Sequence, residues 1–162
     1  MRERSLVIVK PDGVTRQLVG RIISRFEDAG LKIVGMKMMW VDEKFAKKHY
    51  SDVAERRGEV VLQKLLKGIT SGPVIAFVLE GLHSIEIIRK LVGETQPLKA
   101  LPGTIRGDFA QHSYAYADNA GVAVANVIHA SSSADDAKKE VELWFSKSEL
   151  YDYQTAHEPH VM

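Results

Sequence analysis

Cysteine is absent from the 162 residues, so no disulfide and no cysteine-ligated zinc site can hold this chain together. A charge bias is missing too: 22 Lys and Arg stand against 21 Asp and Glu, a formal net charge of +1. That balance predicts neither a basic stripe for nucleic acid nor an acidic tail, so any anion must be met by a local cluster. Long apolar runs are also lacking. Leu6 to Val9 is too short for a signal-peptide core, and no window nears the roughly 18 apolar residues of a membrane span. A soluble cytoplasmic protein without a membrane partner is expected. Aromatic residues are few, at 7%, but 45% hydrophobic residues are enough for a core. A chain this long buries roughly two-thirds of its unfolded surface, and a single domain over residues 1–162 is expected.

Familiar chemical signatures are missing as well. There is no GxxxxGK[ST] phosphate loop, no GxGxxG after the first strand, no HExxH, and no pair of histidines at a metal-binding spacing. Glu140 and Glu142 stand two apart on a helix and point different ways, so they make a poor acid–base pair.

What is present alternates between strand and helix signals. The run "SLVIVK" reads as a buried strand stopped by Pro11, Asp12 and Gly13. Leu18, Ile22, Phe26 and Ala29 mark an amphipathic helix that ends at Gly30. Residues 31–41 read as a strand. Residues 42–69 read as a helical hairpin broken near Gly58, with Asp42 as its N-cap. A strand over 74–81 and a helix over 84–93, capped by Ser84 and stopped by Gly93, come next. Residues 94–109 form a Gly/Pro-rich loop with room for one short turn of helix, and 110–121 read as an inserted polar loop. The fourth strand, "VAVANVIHA", precedes a serine-capped helix over 132–145 and an extended arm over about 150–162. The order β-α-β-β-α-β with extra helices predicts an α+β ferredoxin-like sandwich. It has a four-stranded antiparallel sheet with helices on one face, plus the helical hairpin.

Polar residues gather at the ends of these elements: Lys10, Tyr50, Arg89, Thr95, Thr104, Arg106, Asn126 and His129. Cations, hydroxyls, an amide and an imidazole suit a polyphosphate. Taken singly, Lys10 reads most simply as a solvated strand end, Arg89 as the polar face of a helix, and His129 as a satisfied core histidine.

The blocks "VIVKPDGV", "HY", "SGPVIAFVLEG", "GETQP", "PGTIRGDF", "NVIHAS" and "KKEVELWF" occur in this order between residue 5 and about 150. Together they resemble the signature blocks of the nucleoside diphosphate kinase family. The resemblance implies a ping-pong enzyme that moves the γ-phosphoryl of a nucleoside triphosphate to a nucleoside diphosphate through a phosphohistidine. By position, His129 is the implied nucleophile, oriented by Glu140 with help from Ser131. Arg89, Thr95 and Arg106 are implied phosphate contacts, Lys10 and Asn126 reach the ribose, and Tyr50 stands beside the histidine and the terminal phosphate. Mg2+ is implied as a passenger on the nucleotide, with no metal ligand from the protein. Hexamers are the implied assembly, with tetramers as the alternative.

The chain departs from the family pattern in three places. The aromatic pair usual between "HY" and "SGP" is missing, which leaves Val60, Val61 or Leu65 near the base and predicts weaker stacking. The insertion at 110–121 brings Tyr114 and Tyr116, as a substitute for the lost ring, as a contact with a neighbouring subunit, or as part of a solvated loop. Ser132 stands where an aspartate is common. These changes leave a second reading open, a nucleotide-binding regulatory or sensor protein with weakened catalysis.

Overall fold

The computed structural model describes residues 2–156 and 158–161. Its frame is one antiparallel sheet of β1 (Arg2–Val9), β2 (Lys32–Trp40), β3 (Pro73–Leu82) and β4 (Ile128–Ala130), in the order β2-β3-β1-β4. This is the ferredoxin-like order, with the two inner strands the most apolar. Residues 5–9 of β1 are buried without interruption, as expected of a strand covered on both sides.

Both faces are indeed covered. Helices α2 (Val19–Glu27) and α6 (Ser84–Val92) set Ile22, Phe26, Ile88 and Val92 against Val7, Val9, Phe77 and Leu79. These are the crossover helices of the ferredoxin-like plan, and they share one face. The hairpin extends the plan to the other face. There α3 (Glu43–His49) and α5 (Glu59–Ile69), joined by α4 (Val53–Arg57), pack with α9 (Ala134–Trp144) over Leu6, Ile8, Ala76 and Val78. Asp42 caps α3 by accepting from Phe45 N at 2.7 Å, and Gly58 breaks the hairpin at φ 88, a conformation glycine adopts without steric cost.

Three local expectations change, and the short turn of helix expected in 94–109 is found. Ser84 does not cap α6. His83, at φ 49, holds the cap position, while the buried Ser84 hydroxyl donates to Glu3 O at 2.9 Å and ties the helix to β1. The loop at 94–109 holds α7 (Ile105–Phe109), capped by Thr104, whose Oγ1 accepts from Gly107 N at 3.0 Å. The insertion contains α8 (Tyr114–Asn119), capped by Ser113, and Lys64 of α5 meets Asp118 at 3.0 Å to fasten it. Finally, β4 is only three residues long, because Val127 turns out of the strand at φ 59.

The C-terminal arm lies on the outer edge of β2. Tyr151 N donates to Val34 O at 2.7 Å, and the Tyr153 hydroxyl donates to Ile33 O at 2.6 Å. Lys32, only 3% exposed, reaches Tyr153 O, Glu80 and Glu158 within 3.0 Å. A buried cation with three oxygens around it is well compensated, so this cluster pins the arm in one place. The short helix α10 (Glu158–Val161) supplies Glu158.

Candidate functional site

The turn at Val127 is where the site begins. Ile128 N donates to Asn126 O at 2.7 Å, closing a three-residue turn around a β-branched residue in the left-handed region. Such a conformation costs on the order of 1–3 kcal/mol and needs outside support. Support comes from α1 (Pro11–Thr15), which follows β1 directly, and from its N-cap residue Lys10: Val127 N donates to Asp12 Oδ2 at 3.0 Å, and Lys10 N donates to Val127 O at 2.9 Å. Without the turn, Asn126 and His129 would alternate along a regular strand. With it, both line one cavity of about 510 Å3, within the usual size range of small-ligand sites.

His129 sits opposite Ile8 on the sheet face covered by α9 and the hairpin. Its Nε2 lies 3.0 Å from both carboxylate oxygens of Glu140. Ser131 donates from Oγ to Glu140 Oε2 at 2.6 Å, and its backbone N–H bonds to Leu6 O at 3.1 Å. Burial disfavours the Glu140 charge, but the hydrogen bonds from His129 and Ser131 outweigh it, and its pKa falls below the ordinary carboxylate value. An ionised Glu140 accepts the proton of Nε2 and so leaves the lone pair on Nδ1.

A second imidazole stands behind this pair. His49, at the end of α3, packs edge to face on His129 with 4.7 Å between ring centres, and its Nδ1 is 4.0 Å from Glu140. That Nδ1 accepts from Trp144 Nε1 at 3.2 Å. Burial pushes the His49 pKa down to about 3, so the ring is neutral. The same burial raises the neighbouring Tyr50 phenol, with Glu140 adding to the effect, so Tyr50 stays a protonated hydroxyl.

The cationic residues line the rest of the cavity. Arg106 is 4% exposed; its guanidinium donates to Gly93 O at 3.0 Å and Ile128 O at 2.8 Å, while its Nε has no partner among the described residues. Burial, with Arg89 nearby, lowers its pKa to about 10. Burial likewise brings Lys10 down to about 8, with Asp12 opposing and Arg106 reinforcing the shift. Asn126 donates to Thr95 O at 2.8 Å, and its buried Oδ1 has no donor among the described residues. Seven Lys or Arg side chains line the cavity against three carboxylates, in a protein whose net charge is only +1. An anion with several charged oxygens would satisfy the surplus.

Lys10, Tyr50, Arg89, Thr95, Arg106, Asn126, His129 and Glu140 therefore meet in one cavity, with Ser131 bonded behind it. Thr104 does not line it and serves as the α7 cap. Of the residues considered for the base, Leu65 lines the cavity, while Val60, Val61, Tyr114 and Tyr116 do not. Tyr116 instead packs on His112, whose Nδ1 accepts from Ala125 N. Ser132 donates to Asp136 at the rim. Sequence reasoning missed His49, Asp12 and the rim cations Lys48, Arg56, Arg57 and Lys139. His49, Asp12 and Lys139 lie within the quoted blocks; Lys48, Arg56 and Arg57 carry no signal beyond their charge.

Comparison with known proteins gives a consistent result. The family model described as nucleoside diphosphate kinase matches residues 3–150. The nucleoside diphosphate kinase of Borreliella burgdorferi is 50% identical over 154 residues, covering 94% of this chain and 92% of its own. That of Pyrococcus furiosus is 49% identical over 151 residues, covering 93% and 88%. A solved structure of the Borrelia burgdorferi enzyme, a transition state mimic with bound vanadate and ADP, superposes with a TM-score of 0.97 at 48% identity. It covers 99% of this chain and 96% of that one. A halophilic relative from Halobacterium salinarum, in complex with CDP, gives 0.85 at 39% identity, with 98% and 97% covered.

Proposed function

The chain belongs to the nucleoside diphosphate kinase family, and from that premise we propose that His129 Nδ1 carries the phosphoryl group between two nucleotides. In the first half-reaction the Nδ1 lone pair attacks the γ-phosphorus. The Nδ1–P bond forms as the bond to the β-phosphate oxygen breaks, and the nucleoside diphosphate leaves. The imidazole becomes cationic, and Glu140, bonded at Nε2, balances that charge. In the second half-reaction a terminal oxygen of another diphosphate takes the group and restores neutral His129. The observation that carries this reading is the bond of Nε2 to an ionised Glu140, which leaves Nδ1 as the free nucleophile.

Phosphoryl transfer needs positioning and charge neutralisation more than covalent assistance from the protein. Arg89, Arg106 and Thr95 hold the phosphates, and the Tyr50 hydroxyl stands beside the terminal one. Lys10 and Asn126 take the ribose end, where the unpartnered Asn126 Oδ1 accepts from a sugar hydroxyl. Mg2+ enters as part of the nucleotide and offsets phosphate charge. The cavity's carboxylates are already engaged, Asp52 with Arg56, Asp136 with Ser132 and Glu140 with His129. Leu65 and Val53 are the apolar residues left for the base. They have no directional donors or acceptors, so broad base tolerance follows.

The reading places the enzyme in the cytoplasm as one domain working in a hexamer. The uncovered part of the β2 edge, where Met36, Met38 and Trp40 are more than half exposed, supports self-association. Sedimentation showing a monomer at micromolar concentration would oppose the hexamer. Initial rates with ATP and GDP test the kinetic mechanism: double-reciprocal lines at several GDP concentrations are expected to run parallel. Lines that intersect would mean both nucleotides bind before transfer, and a bound but unreacted nucleotide would favour a sensor.

A further inference from the structure

His129, Glu140 and His49 offer one nitrogen or oxygen donor each, all within 4.8 Å of one another. These residues are 129, 140 and 49 in the chain, so no local spacing could announce them. We propose that they form a latent site for a divalent transition metal such as Zn2+, and that filling it switches phosphoryl transfer off.

Two imidazoles and one carboxylate are a zinc-type donor set, with the fourth position open to water. Mg2+ prefers oxygen donors in an octahedron and is poorly served here. The existing spacing is close to what is needed. His129 Nε2 is 3.0 Å and His49 Nδ1 4.0 Å from the same Glu140 oxygen. Donors around a tetrahedral zinc with bonds of about 2.1 Å stand roughly 3.4 Å apart, so small side-chain movements bring them to it. His49 is nine-tenths buried, and because its Nδ1 accepts from the Trp144 indole, the lone pair of the neutral ring already lies on Nδ1, the nitrogen a metal would take. To bind, Nδ1 turns its lone pair from the Trp144 indole to the metal. The open position faces the nucleotide cavity, which gives the ion an entry path.

The inhibitory consequence rests on His129 as the nucleophile; metal binding does not. When the metal bonds to Nε2, the proton there is released to solvent and Nδ1 takes one up. Net proton count is unchanged, but the Nδ1 lone pair is gone and cannot attack phosphorus. Conversely, a phosphoryl group on Nδ1 with the proton held at Nε2 leaves no lone pair for metal. Metal and phosphoryl group are therefore mutually exclusive on His129.

The test is a Zn2+ titration of the nucleotide-free, full-length protein by calorimetry, with Mg2+ in parallel. One Zn2+ per chain is expected, with no heat from Mg2+. His49→Gln and Glu140→Gln are each expected to weaken binding by about tenfold or more, and two variants guard against one failing to fold. His83→Gln and His112→Gln are expected to change nothing. Co2+ in place of Zn2+ is expected to give the visible bands of a four-coordinate site. Zn2+ is expected to block labelling of His129 by γ-labelled ATP, and chelation to restore it. No stoichiometric binding, binding that survives both ligand variants, or binding without loss of labelling would overturn the proposal. If labelling fails even without Zn2+, the nucleophile assignment has failed instead, and the calorimetry still reports on the site.

Discussion

Replacing Glu140 with glutamine keeps the side chain's shape and removes its charge. Both oxygens of the native carboxylate lie 3.0 Å from His129 Nε2, and Ser131 donates to one of them at 2.6 Å. The amide retains one acceptor, so the ring keeps a hydrogen bond but loses the anion that balances its cationic phosphorylated form. A hydrogen bond to a charged group is worth about 1.5–3 kcal/mol, and with roughly 1.4 kcal/mol per decade of rate this predicts a 10- to 150-fold fall in kcat. Glu140 acts through His129, so the Kd for ADP is expected to stay within about twofold of wild type. Stopped-flow phosphorylation by ATP separates the two effects, and equilibrium dialysis gives the affinity. A variant with unchanged kcat would refute the role of the charge. A variant whose loss is all in nucleotide affinity would refute the separation of orientation from binding.

Four more outcomes are expected. Burial holds Lys10 near pKa 8, so the folded protein at neutral pH carries a poorly solvated charge that is relieved as pH rises through 8; Lys10→Met is expected to raise stability by on the order of 2 kcal/mol in denaturant titration while sharply reducing turnover. His49 stays neutral in the fold to about pH 3, whereas the unfolded ring protonates near 6.5. Its contribution is therefore complete above about 6.5 and is lost on acidification at roughly 1.4 kcal/mol per pH unit, and His49→Gln is expected to flatten that acid limb. A Cβ at Gly107 would overlap the Leu101 carbonyl oxygen, so Gly107→Ala is expected to displace α7 with Arg106 and lower both Tm and activity. Leu65→Phe restores a ring beside the base and is expected to tighten ADP binding by about 5- to 150-fold, the range of stacking energies of roughly 1–3 kcal/mol.

The strands that make the sheet were legible because their residues are apolar without interruption. "SLVIV" and "VIAFVLEG" can only be buried, and they pair as β1 and β3. The hairpin break at Gly58 and the cap at Asp42 were legible for the same local reason. The fourth strand was overread. Val122, Val124 and Val127 have high strand propensity, but Asp12 and Lys10, more than a hundred residues earlier, hold Val127 in a turn that propensity disfavours. The insertion was underread: Tyr114 to Asn119 is a poor helix by composition, and Ser113 with the Lys64–Asp118 pair makes it one. The site residues named from the sequence meet in one cavity, yet no residue pattern alone reveals it. His49 lies within the "HY" block, where only Tyr50 was singled out, and its importance comes from Trp144 and His129 arriving beside it in the fold. The Lys32 cluster was invisible for the same reason, since its partners come from β3 and the arm.

The central claim is that His129 is phosphorylated and then dephosphorylated in turn. Incubation with γ-labelled ATP and Mg2+, removal of nucleotide, and addition of GDP tests it in one sequence. The account predicts an acid-labile, base-stable label on the protein that leaves as labelled GTP and never forms on His129→Asn. A label that persists on His129→Asn, or GTP formed with no labelled protein at any time, would contradict it.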